Sequence, residues 1–327
     1  MRVLVVGGAG YIGSHTAKLL ARSGHEPVVF DNLSAGHRWA VKWGPLAEGD
    51  LADTQLLERA LRQFKIEAVI HFAAYAKVGE SVLDPRKYYW NNVVNSLRLV
   101  DAMLEAGVQA IVFSSSAATY GVPTQSPIPE EHLKIPVNPY GESKLVVERM
   151  LANYEQAYGL RWMALRYFNA AGADPEGELG EDHDPESHMI PLAIQAALGQ
   201  RPYVEIYGTD YPTPDGTAIR DYVHVTDLAR AHVRALEYLA AGGASTALNL
   251  GTGEGHSVRE VISAVGLRCE GRVPVREGPR RPGDPPVLVA EVSKAEQVLA
   301  WKAEFAGLEA IVGTAWKWHA ARKPKPA

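Results

Sequence analysis

The N-terminus joins a short apolar run directly to a glycine-rich loop. Residues 2–6 read Arg-Val-Leu-Val-Val, and residues 7–13 read Gly-Gly-Ala-Gly-Tyr-Ile-Gly. An unbroken β-branched run is typical of a parallel strand that is buried on both faces. Residues 14–23 have the pattern of a helix. The first part of the chain therefore predicts a strand, a tight glycine turn and a helix in succession.

Three glycines in this loop occupy positions that suit the binding of a phosphate. Gly7 permits a tight turn, Gly10 lets the backbone approach a pyrophosphate, and Gly13 lets the helix pack close to the strand. The N-terminus of the helix offers free N–H groups to such an anion. Asp31 ends the next predicted strand, where a carboxylate binds ribose hydroxyls and repels a 2′-phosphate. The pattern therefore predicts NAD rather than NADP as the cofactor.

Strand and helix patterns alternate along the first half of the chain. This alternation predicts an α/β fold with a doubly wound, parallel Rossmann-type sheet. A glycine, Gly159, marks the end of the last long helix in this half. The predicted strands are 27–30, 68–72, 110–113 and 161–165, in addition to 2–6, and the long predicted helices are 84–106 and 140–158.

The character of the sequence changes after residue 169. Residues 173–185 are rich in Gly, Pro, Asp and Glu, and short elements then alternate with loops as far as Asp284. We therefore expect an NAD-binding Rossmann domain over 1–169 and a smaller C-terminal α/β substrate domain over 170–327. Segments near 217–243 are expected to pack back onto the first domain, and the tail 323–327 is expected to fray.

Tyr140 and Lys144 lie one helical turn apart at the start of a predicted helix, so they share a face. An ammonium group beside a phenol stabilises the phenolate, and we expect it to lower the pKa of Tyr140 from the usual value of about 10. Ser114 and Ser116 follow a predicted strand, at the sheet edge where α/β proteins place their chemistry. A serine hydroxyl there can bind the oxygen that Tyr140 deprotonates. Tyr140, Lys144 and Ser116 are therefore the candidate catalytic set.

Charge and composition argue against several other classes of protein. The net charge of -5 gives no basic field for nucleic acid or anionic lipid. No apolar run is long enough to span a membrane, and the N-terminus lacks a signal-peptide pattern, so the cytoplasm is the expected location. The single cysteine, Cys269, cannot form an internal disulfide or a multi-thiolate zinc site. No clustered His, Cys and carboxylate motif stands out, and no metal site is expected.

Together these features resemble the extended short-chain dehydrogenase/reductase family and, within it, the NAD-dependent sugar-nucleotide 4-epimerases. The resemblance covers nearly the whole chain. Two motifs of the second half indicate the epimerases more specifically than the others do. The motifs that carry the resemblance are the glycine loop, His71-Phe-Ala-Ala74, Phe113-Ser-Ser-Ser116, Pro139-Tyr-Gly-Glu-Ser-Lys144 and, in the second half, Gly208-Thr-Asp-Tyr-Pro-Thr213 and Arg220-Asp-Tyr-Val-His-Val225.

The resemblance implies binding roles for a larger set of residues. The residues implied to bind the sugar nucleotide are Ser116, Tyr140, Asn169, His188, Met189, Tyr207, Arg220, Arg281 and Asp284. The residues implied to bind NAD are Gly7, Gly10, Tyr11, Ile12, Gly13, Asp31, Asn32, Asp50, Leu51, Phe72, Ala73, Ala74, Asn92, Ser114, Tyr140, Lys144, Tyr167 and Phe168.

The reaction implied by the resemblance is the interconversion of UDP-glucose and UDP-galactose. Tyr140 would take the proton of the sugar 4-hydroxyl while hydride passes reversibly between carbon 4 and bound NAD, through a 4-keto intermediate. Arg220 and Arg281 would neutralise the diphosphate, because planar guanidinium groups match phosphate oxygens. The family also implies a homodimer, formed through the helices near 84–106 and 140–158.

Two positions depart from the family pattern. A lysine that many members carry after the Phe-Ala-Gly-like turn aligns with Ala76 here, with Lys77 beside it, so the cofactor would be anchored differently. A bulky tyrosine of some bacterial epimerases aligns with Leu288. The pocket beside the 2-position of the sugar would then be larger, and some activity on UDP-N-acetylhexosamines is expected as well.

The residues leave other functions on the same fold open. A 4-epimerase for UDP-N-acetylhexosamines or UDP-pentoses would share these motifs, and a non-catalytic NAD-binding sensor would share the fold. Such sensors tend to lose the tyrosine or the lysine, and both remain here. A 4,6-dehydratase is disfavoured, because the Thr-Asp-Glu triplet of those enzymes is replaced by Ala117-Ala118-Thr119.

Overall fold

A seven-stranded parallel sheet forms the centre of the protein, which confirms the predicted doubly wound Rossmann-type α/β fold. The computed structural model describes residues 1–281 and 283–322, so the tail 323–327 that was expected to fray lies outside the described residues. The strands of this sheet are β1 (Arg2–Val6), β2 (Glu26–Asp31), β3 (Leu46–Glu48), β4 (Ala68–His71), β5 (Ala110–Ser116), β6 (Arg161–Tyr167) and β11 (Thr246–Leu250). Across the sheet their order is β11-β6-β5-β4-β1-β2-β3.

Helices cover both faces of this sheet. Alternate side chains of β1 point to opposite layers, with Val3 and Val5 in one apolar core and Leu4 and Val6 in the other. In the part of the chain that the structure describes, no helix has the length and apolarity needed to cross a membrane, and the expected cytoplasmic location stays a prediction. The covering helices are α1 (Tyr11–Arg22), α8 (Val225–Ala240) and α10 (Ser293–Leu299) on the first face, and α2 (Thr54–Gln63), α5 (Asn95–Glu105) and α6 (Pro139–Tyr158) on the second.

The strands predicted from apolar runs are confirmed, but two strands of the sheet were not predicted. β5 and β6 extend beyond their predicted ends, to Ser116 and Tyr167. β3 has only three residues, which is too short for a recognisable pattern. β11 pairs with β6 after the chain has left the sheet for almost eighty residues. Asn249 also interrupts its apolar run, so the local sequence does not reveal a strand of the main sheet.

The predicted single helix over 84–106 is wrong in detail. The structure has α3 (Val78–Leu83), then α4 (Pro85–Tyr88), a π-helical segment (Tyr89–Val94) and α5. Asp84 starts α4 by accepting a hydrogen bond from the backbone N–H of Lys87 at 3.1 Å. A π-helical segment inserts an extra residue into one turn. The buried member of this segment is Asn92, one of the residues implied to bind NAD.

Most of the other elements after β6 form a smaller apolar core. Three helices surround this core, and α8 returns to the main sheet from the region near 217–243. The division into domains at 1–169 and 170–327 stays a prediction. The elements of this part are α7 (Met189–Ala197), α9 (Val258–Arg268) and α11 (Leu308–Ala320), the paired strands β7 (Asn169–Ala171) with β10 (Tyr222–His224) and β8 (Val204–Tyr207) with β13 (Val275–Gly278), and β9 (Ile219–Arg220) between β12 (His256–Ser257) and β14 (Val287–Leu288).

A buried ion pair joins α6 to the sheet. The carboxylate of Glu148 accepts hydrogen bonds from Arg166 Nε at 2.9 Å and Nη2 at 2.5 Å, and the two side chains are only 6% and 5% exposed. Ser115 Oγ donates to the same carboxylate at 2.5 Å, and Arg166 Nη1 donates to the Tyr120 hydroxyl at 3.0 Å. Each charge is therefore fully compensated by neighbours, as a buried ion pair requires.

Removing one member of this pair should destabilise the fold strongly. Glu148→Ala leaves the Arg166 guanidinium buried without a counter-charge, and we expect a loss of about 3–5 kcal/mol in the free energy of unfolding, measured by urea titration. The double variant Glu148→Met with Arg166→Met removes both charges and should recover most of that loss. A single variant that loses under about 1 kcal/mol would show that the pair does not hold α6 in place.

Candidate active site

A large cleft opens at the carboxyl ends of the central strands. It lies beside the neighbouring strands β1 and β4, because the chain leaves β1 toward one edge of the sheet and leaves β4 toward the other. Its volume of about 1260 Å³ exceeds the usual range for a single small ligand, so the cleft has room for two nucleotides end to end. Nearly all the predicted site residues line it, and they come from loops that follow β1, β2, β4, β5 and β6 and from the smaller C-terminal core.

The glycine loop forms one wall of the cleft, and two of its glycines are there for close packing. Gly7 has a φ of +81°, and a Cβ there would lie 2.6 Å from the backbone nitrogen of Ala73. A Cβ on Gly13 would lie 2.3 Å from the carbonyl oxygen of Gly7. Gly10 precedes α1, and no side chain caps that helix. The free N–H groups of α1 therefore face the cleft, and the cradle fits a pyrophosphate.

Asp31 holds the next turn of the cleft wall. Its carboxylate accepts hydrogen bonds from the backbone N–H groups of Ala9 at 2.9 Å and Leu33 at 2.8 Å. Burial raises the pKa of Asp31, and these two hydrogen bonds oppose the rise. Beside it, Asn32 Nδ2 donates to Asp50 Oδ2 at 2.7 Å. The carboxylate is thus fixed at the end of β2, in the position that suits a ribose hydroxyl pair.

Asn92 differs from the other residues that were implied to contact the cofactor. Its side-chain oxygen accepts from the backbone N–H of Tyr75 at 2.9 Å. Its Nδ2 donates to the carbonyl of Tyr75 at 3.0 Å and to Ser143 Oγ at 3.1 Å. Asn92 does not line the cleft, while Tyr75 does. The geometry therefore corrects the implied role, since Asn92 positions the loop after β4 from behind.

The start of α6 brings the three candidate catalytic side chains together. Asn138 caps the helix by accepting from the N–H of Gly141 at 2.9 Å, and a Cβ on Gly141 would lie 2.4 Å from the carbonyl oxygen of Ala118. This close approach sets Tyr140 beside the end of β5, where Ser116 lies. Ser116 Oγ in turn accepts from the N–H of Ala118 at 3.1 Å.

Lys144 follows one turn later and is buried beneath the same edge. Its Nζ donates to the carbonyl oxygen of Ser114 at 2.7 Å and lies 5.9 Å from the ring centre of Tyr140. Nearby, the hydroxyls of Ser114 and Tyr167 are in contact. All of these groups line the part of the cleft at β5 and β6. The glycine loop follows β1, on the other side of β4.

The expected lowering of the Tyr140 pKa by Lys144 is wrong for the polypeptide by itself. Burial raises the pKa of Tyr140, and the Ser116 hydroxyl only opposes that rise. Burial lowers the pKa of Lys144 to about 7, with the charge of Glu148 acting in the other direction. The physical reason is that the site withdraws both groups from water, which disfavours a phenolate and an ammonium alike. A base at Tyr140 needs a further positive charge in the cleft.

The substrate end of the cleft carries the two predicted arginines. Arg220 Nη2 donates to Asp284 Oδ1 at 2.5 Å, and its Nη1 donates to the carbonyl of Ile219 at 2.7 Å. The guanidinium of Arg281 lies 3.9 Å from the ring centre of Tyr207. Asn169, His188 and Met189 line the cleft as well. The cleft therefore holds a cationic end for a diphosphate and an aromatic surface for a base.

Comparisons with known proteins agree with this arrangement. The model of the NAD dependent epimerase/dehydratase family matches residues 3–251. The chain belongs to that family. A UDP-glucose 4-epimerase of Rhizobium leguminosarum bv. trifolii is 54% identical to it over 97% of each chain. A crystal structure of the UDP-glucose 4-epimerase from Brucella ovis in complex with NAD is 55% identical, with a TM-score of 0.95, over 96% of this chain and 97% of that one.

A third relative extends the range of bound sugars. The crystal structure of UDP-glucose-4-epimerase from Stenotrophomonas maltophila, with bound NAD and formylated UDP-arabinopyranose, is 42% identical and has a TM-score of 0.95. It covers 98% of this chain and 98% of that one. The epimerase/dehydratase fold is therefore shared over almost the entire length of the chain, including the smaller C-terminal core.

One group in this epimerase/dehydratase chain was missed from sequence. Glu181, His183, Glu186 and His188 bring their ligand-type atoms within 4.8 Å of one another at the cleft, so the statement that no His and carboxylate motif is clustered is wrong. The signal was the alternation of acids and histidines over 181–188, which stood inside a segment interpreted as a plain loop. Lys77 and Arg201 also line the cleft without having been singled out for a role in binding.

Proposed function

We propose that this chain interconverts UDP-glucose and UDP-galactose as an NAD-dependent 4-epimerase. The observation that carries the proposal is the meeting of Tyr140, Lys144 and Ser116 at the carboxyl edge of the sheet, in one cleft with the glycine loop. Relatives named for this activity, more than half identical over nearly the full length, support it. A non-catalytic sensor would have no use for a half-buried tyrosine beside a buried lysine, whose desolvation costs free energy.

The cofactor would be held by the glycine loop and the end of β2. Gly7, Gly10 and Gly13 leave space for a pyrophosphate at the N-terminus of α1, and Asp31 offers its carboxylate to the adenosine ribose. Lys77 would approach the phosphates in place of the family lysine that aligns with Ala76. When bound in its oxidised form, NAD would supply an acceptor for the hydride that leaves carbon 4 of the sugar. It would also supply a positive charge in the cleft.

Tyr140 would act as the base for the 4-hydroxyl. A positive charge near its ring favours the phenolate, which offsets the effect of burial on the Tyr140 pKa. The phenolic oxygen takes the hydroxyl proton as carbon 4 is oxidised to a 4-keto sugar nucleotide. Ser116 donates to the same sugar oxygen, and Lys144 stabilises the phenolate from below. After the keto sugar turns in the cleft, return of the hydride to the other face of carbon 4, together with the proton from Tyr140, would leave no net oxidation.

The diphosphate would anchor the substrate while the sugar turns. Arg220 and Arg281 line the cleft, and the guanidinium of Arg281 lies over the ring of Tyr207. Binding energy placed on the nucleotide does not restrain the sugar, so both faces of carbon 4 can be presented in turn. This division of the cleft into a nucleotide end and a reaction end is what an epimerase requires.

The test is the conversion of UDP-galactose by purified protein, followed by chromatography of the sugar nucleotides. We expect UDP-glucose without net NADH, and Tyr140→Phe should lower the rate by about 10²–10⁴-fold because it removes the base. Tyr154→Phe is the matched control, since Tyr154 lies on the same helix and its hydroxyl donates to Asp101 outside the cleft. Absence of UDP-glucose from the wild-type reaction, or an active Tyr140→Phe enzyme, would contradict the proposal.

We also propose that the cleft accepts UDP-N-acetylhexosamines. Leu288 lines the cleft and, like Phe168, packs against the apolar cluster that includes Tyr120. It occupies the position that aligns with a bulky tyrosine of some bacterial epimerases. Leu288→Tyr fills that space. We expect it to reduce turnover of UDP-N-acetylgalactosamine at least tenfold more than turnover of UDP-galactose, since an acetamido group is larger than a hydroxyl. Equal loss on both substrates would argue against a role in sugar selection.

We propose further that two copies of the chain pair through α5, α6 and the segment before them. Several large apolar side chains are exposed there, among them Leu83, Trp90 and Tyr158, and Trp90 is 53% exposed. Sedimentation should then give a mass twice the 35.5 kDa of one chain. Trp90→Glu should lower the measured mass toward that of a single chain. Leu267→Glu, an exposed site on α9, is the control. A wild-type protein that sediments as a single chain at micromolar concentration refutes this pairing.

A further inference from the structure

Four side chains from one short segment converge at the wall of the cleft beside Tyr11 of the glycine loop. Glu181 Oε1 contacts the Nδ1 atoms of both His183 and His188, at 3.0 Å for His183. Glu186 Oε1 lies 3.7 Å from His183 Nδ1 and 4.0 Å from His188 Nδ1. The side chains of Glu181 and Glu186 are only 2% and 5% exposed. Two buried carboxylates and two imidazoles thus face one common point.

The spacing of these atoms matches a metal coordination shell. A four-coordinate Zn²⁺ holds nitrogen and oxygen ligands at about 2.0–2.2 Å, which puts neighbouring ligand atoms about 3.4 Å apart. Three of the separations, 3.0, 3.7 and 4.0 Å, lie on either side of that value, whereas Glu181 and His188 are in closer contact, and all four atoms lie within 4.8 Å of one another. Small side-chain rotations would place all four around one ion.

The charge of the group also allows a metal. Against the effect of burial, contacts with Glu181 raise the pKa of both His183 and His188, so two protonated imidazoles compensate the two carboxylates in the polypeptide by itself. One divalent cation would supply the same two positive charges while both imidazoles bind it in the neutral form. Imidazole ligands favour zinc-like ions over Ca²⁺ or Mg²⁺, which prefer oxygen.

A neighbouring acidic group shows what a site without a metal looks like. Asp174, Glu176 and Glu178 also cluster, but Lys18 Nζ lies 2.7, 3.0 and 2.7 Å from their respective carboxylates. Arg22 binds Glu176 in addition, at 2.6 Å. Protein cations already occupy the centre of that group. In the group from 181 to 188 the nitrogen atoms at the centre are themselves metal-ligand types.

We propose that Glu181, His183, Glu186 and His188 bind one divalent transition-metal ion of the Zn²⁺ class. The ion joins the loop before α7 to the first residues of that helix, where His188 and Met189 line the cleft. Trp318 Nε1 donates to the carbonyl of Glu181 at 3.1 Å and fixes the other side of the loop on α11. The ion therefore orders one wall of the cleft, and its binding does not depend on the proposed reaction, because Tyr140, Lys144 and Ser116 are not among its four ligands.

The test is a direct titration of tag-free protein. Protein treated with a chelator and dialysed is titrated with Zn²⁺ against a chromophoric competitor, and Co²⁺ is added in parallel as a spectroscopic probe. We expect one Zn²⁺ per chain with a dissociation constant at or below about 1 µM, and visible Co²⁺ absorption bands typical of four-coordination. Zn²⁺ should also raise the melting temperature of the chelator-treated protein.

Variants decide whether these four residues are the ligands. His188→Gln, at a partly exposed side chain, and Glu181→Gln should each weaken Zn²⁺ affinity by at least about tenfold and remove the Co²⁺ bands. His132→Gln and Glu176→Gln are matched controls outside the group and should leave both readouts unchanged. Wild-type protein without one saturable Zn²⁺ per chain, or a His188→Gln protein with wild-type affinity, would overturn the proposal and leave the group as a set of ion pairs.

Discussion

The buried carboxylate of Glu148 ties helix α6 to the strands it covers. Ser115 on β5 and Arg166 on β6 both donate to it, and Arg166 continues to the hydroxyl of Tyr120. That hydroxyl donates to Asn249 on β11, so one hydrogen-bonded network crosses three neighbouring strands. Such a network holds only if every member is satisfied, because each unpaired group would carry its full desolvation cost. The position of α6, and with it the position of the candidate base, follows from this constraint.

The same burial that orders α6 sets the chemistry at its start. Tyr140 and Lys144 lie on the face of the helix that is withdrawn from water, and burial pushes their pKa values in opposite directions, toward neutral forms of both. The Glu148 charge partly restores the ammonium form of Lys144. A cationic ligand in the cleft would favour the phenolate further. Little of Tyr140 is therefore in the phenolate form until the cleft is filled, which couples reactivity to occupancy of the site.

Sequence predicted best what short-range pattern determines. Apolar runs predict the strands at 2–6, 68–72 and 161–165, and the glycine loop requires its residues at fixed positions. The features that were not predicted from sequence depend on partners that are distant in the chain. β11 joins the sheet as an edge strand only because β6 offers an open edge, and Asn92 turns away from the cleft because its amide is satisfied by Tyr75. The acids and histidines of 181–188 converge only when the loop folds back on itself.

The direction of the Tyr140 pKa was mispredicted for a related reason. Helical spacing correctly brought Lys144 near the phenol, but spacing carries no information about solvent. Lys144 Nζ gives its hydrogen bond to the Ser114 carbonyl, and burial outweighs the attraction between charge and ring. At the substrate end, Asp284 and the diphosphate of a bound nucleotide would compete for the guanidinium of Arg220. Asp284 neutralises Arg220, and an incoming diphosphate would displace it by repulsion, which frees that carboxylate for the neutral hydroxyls of a ribose. One ion pair would thereby become two contacts with the nucleotide, while the sugar stays free to turn.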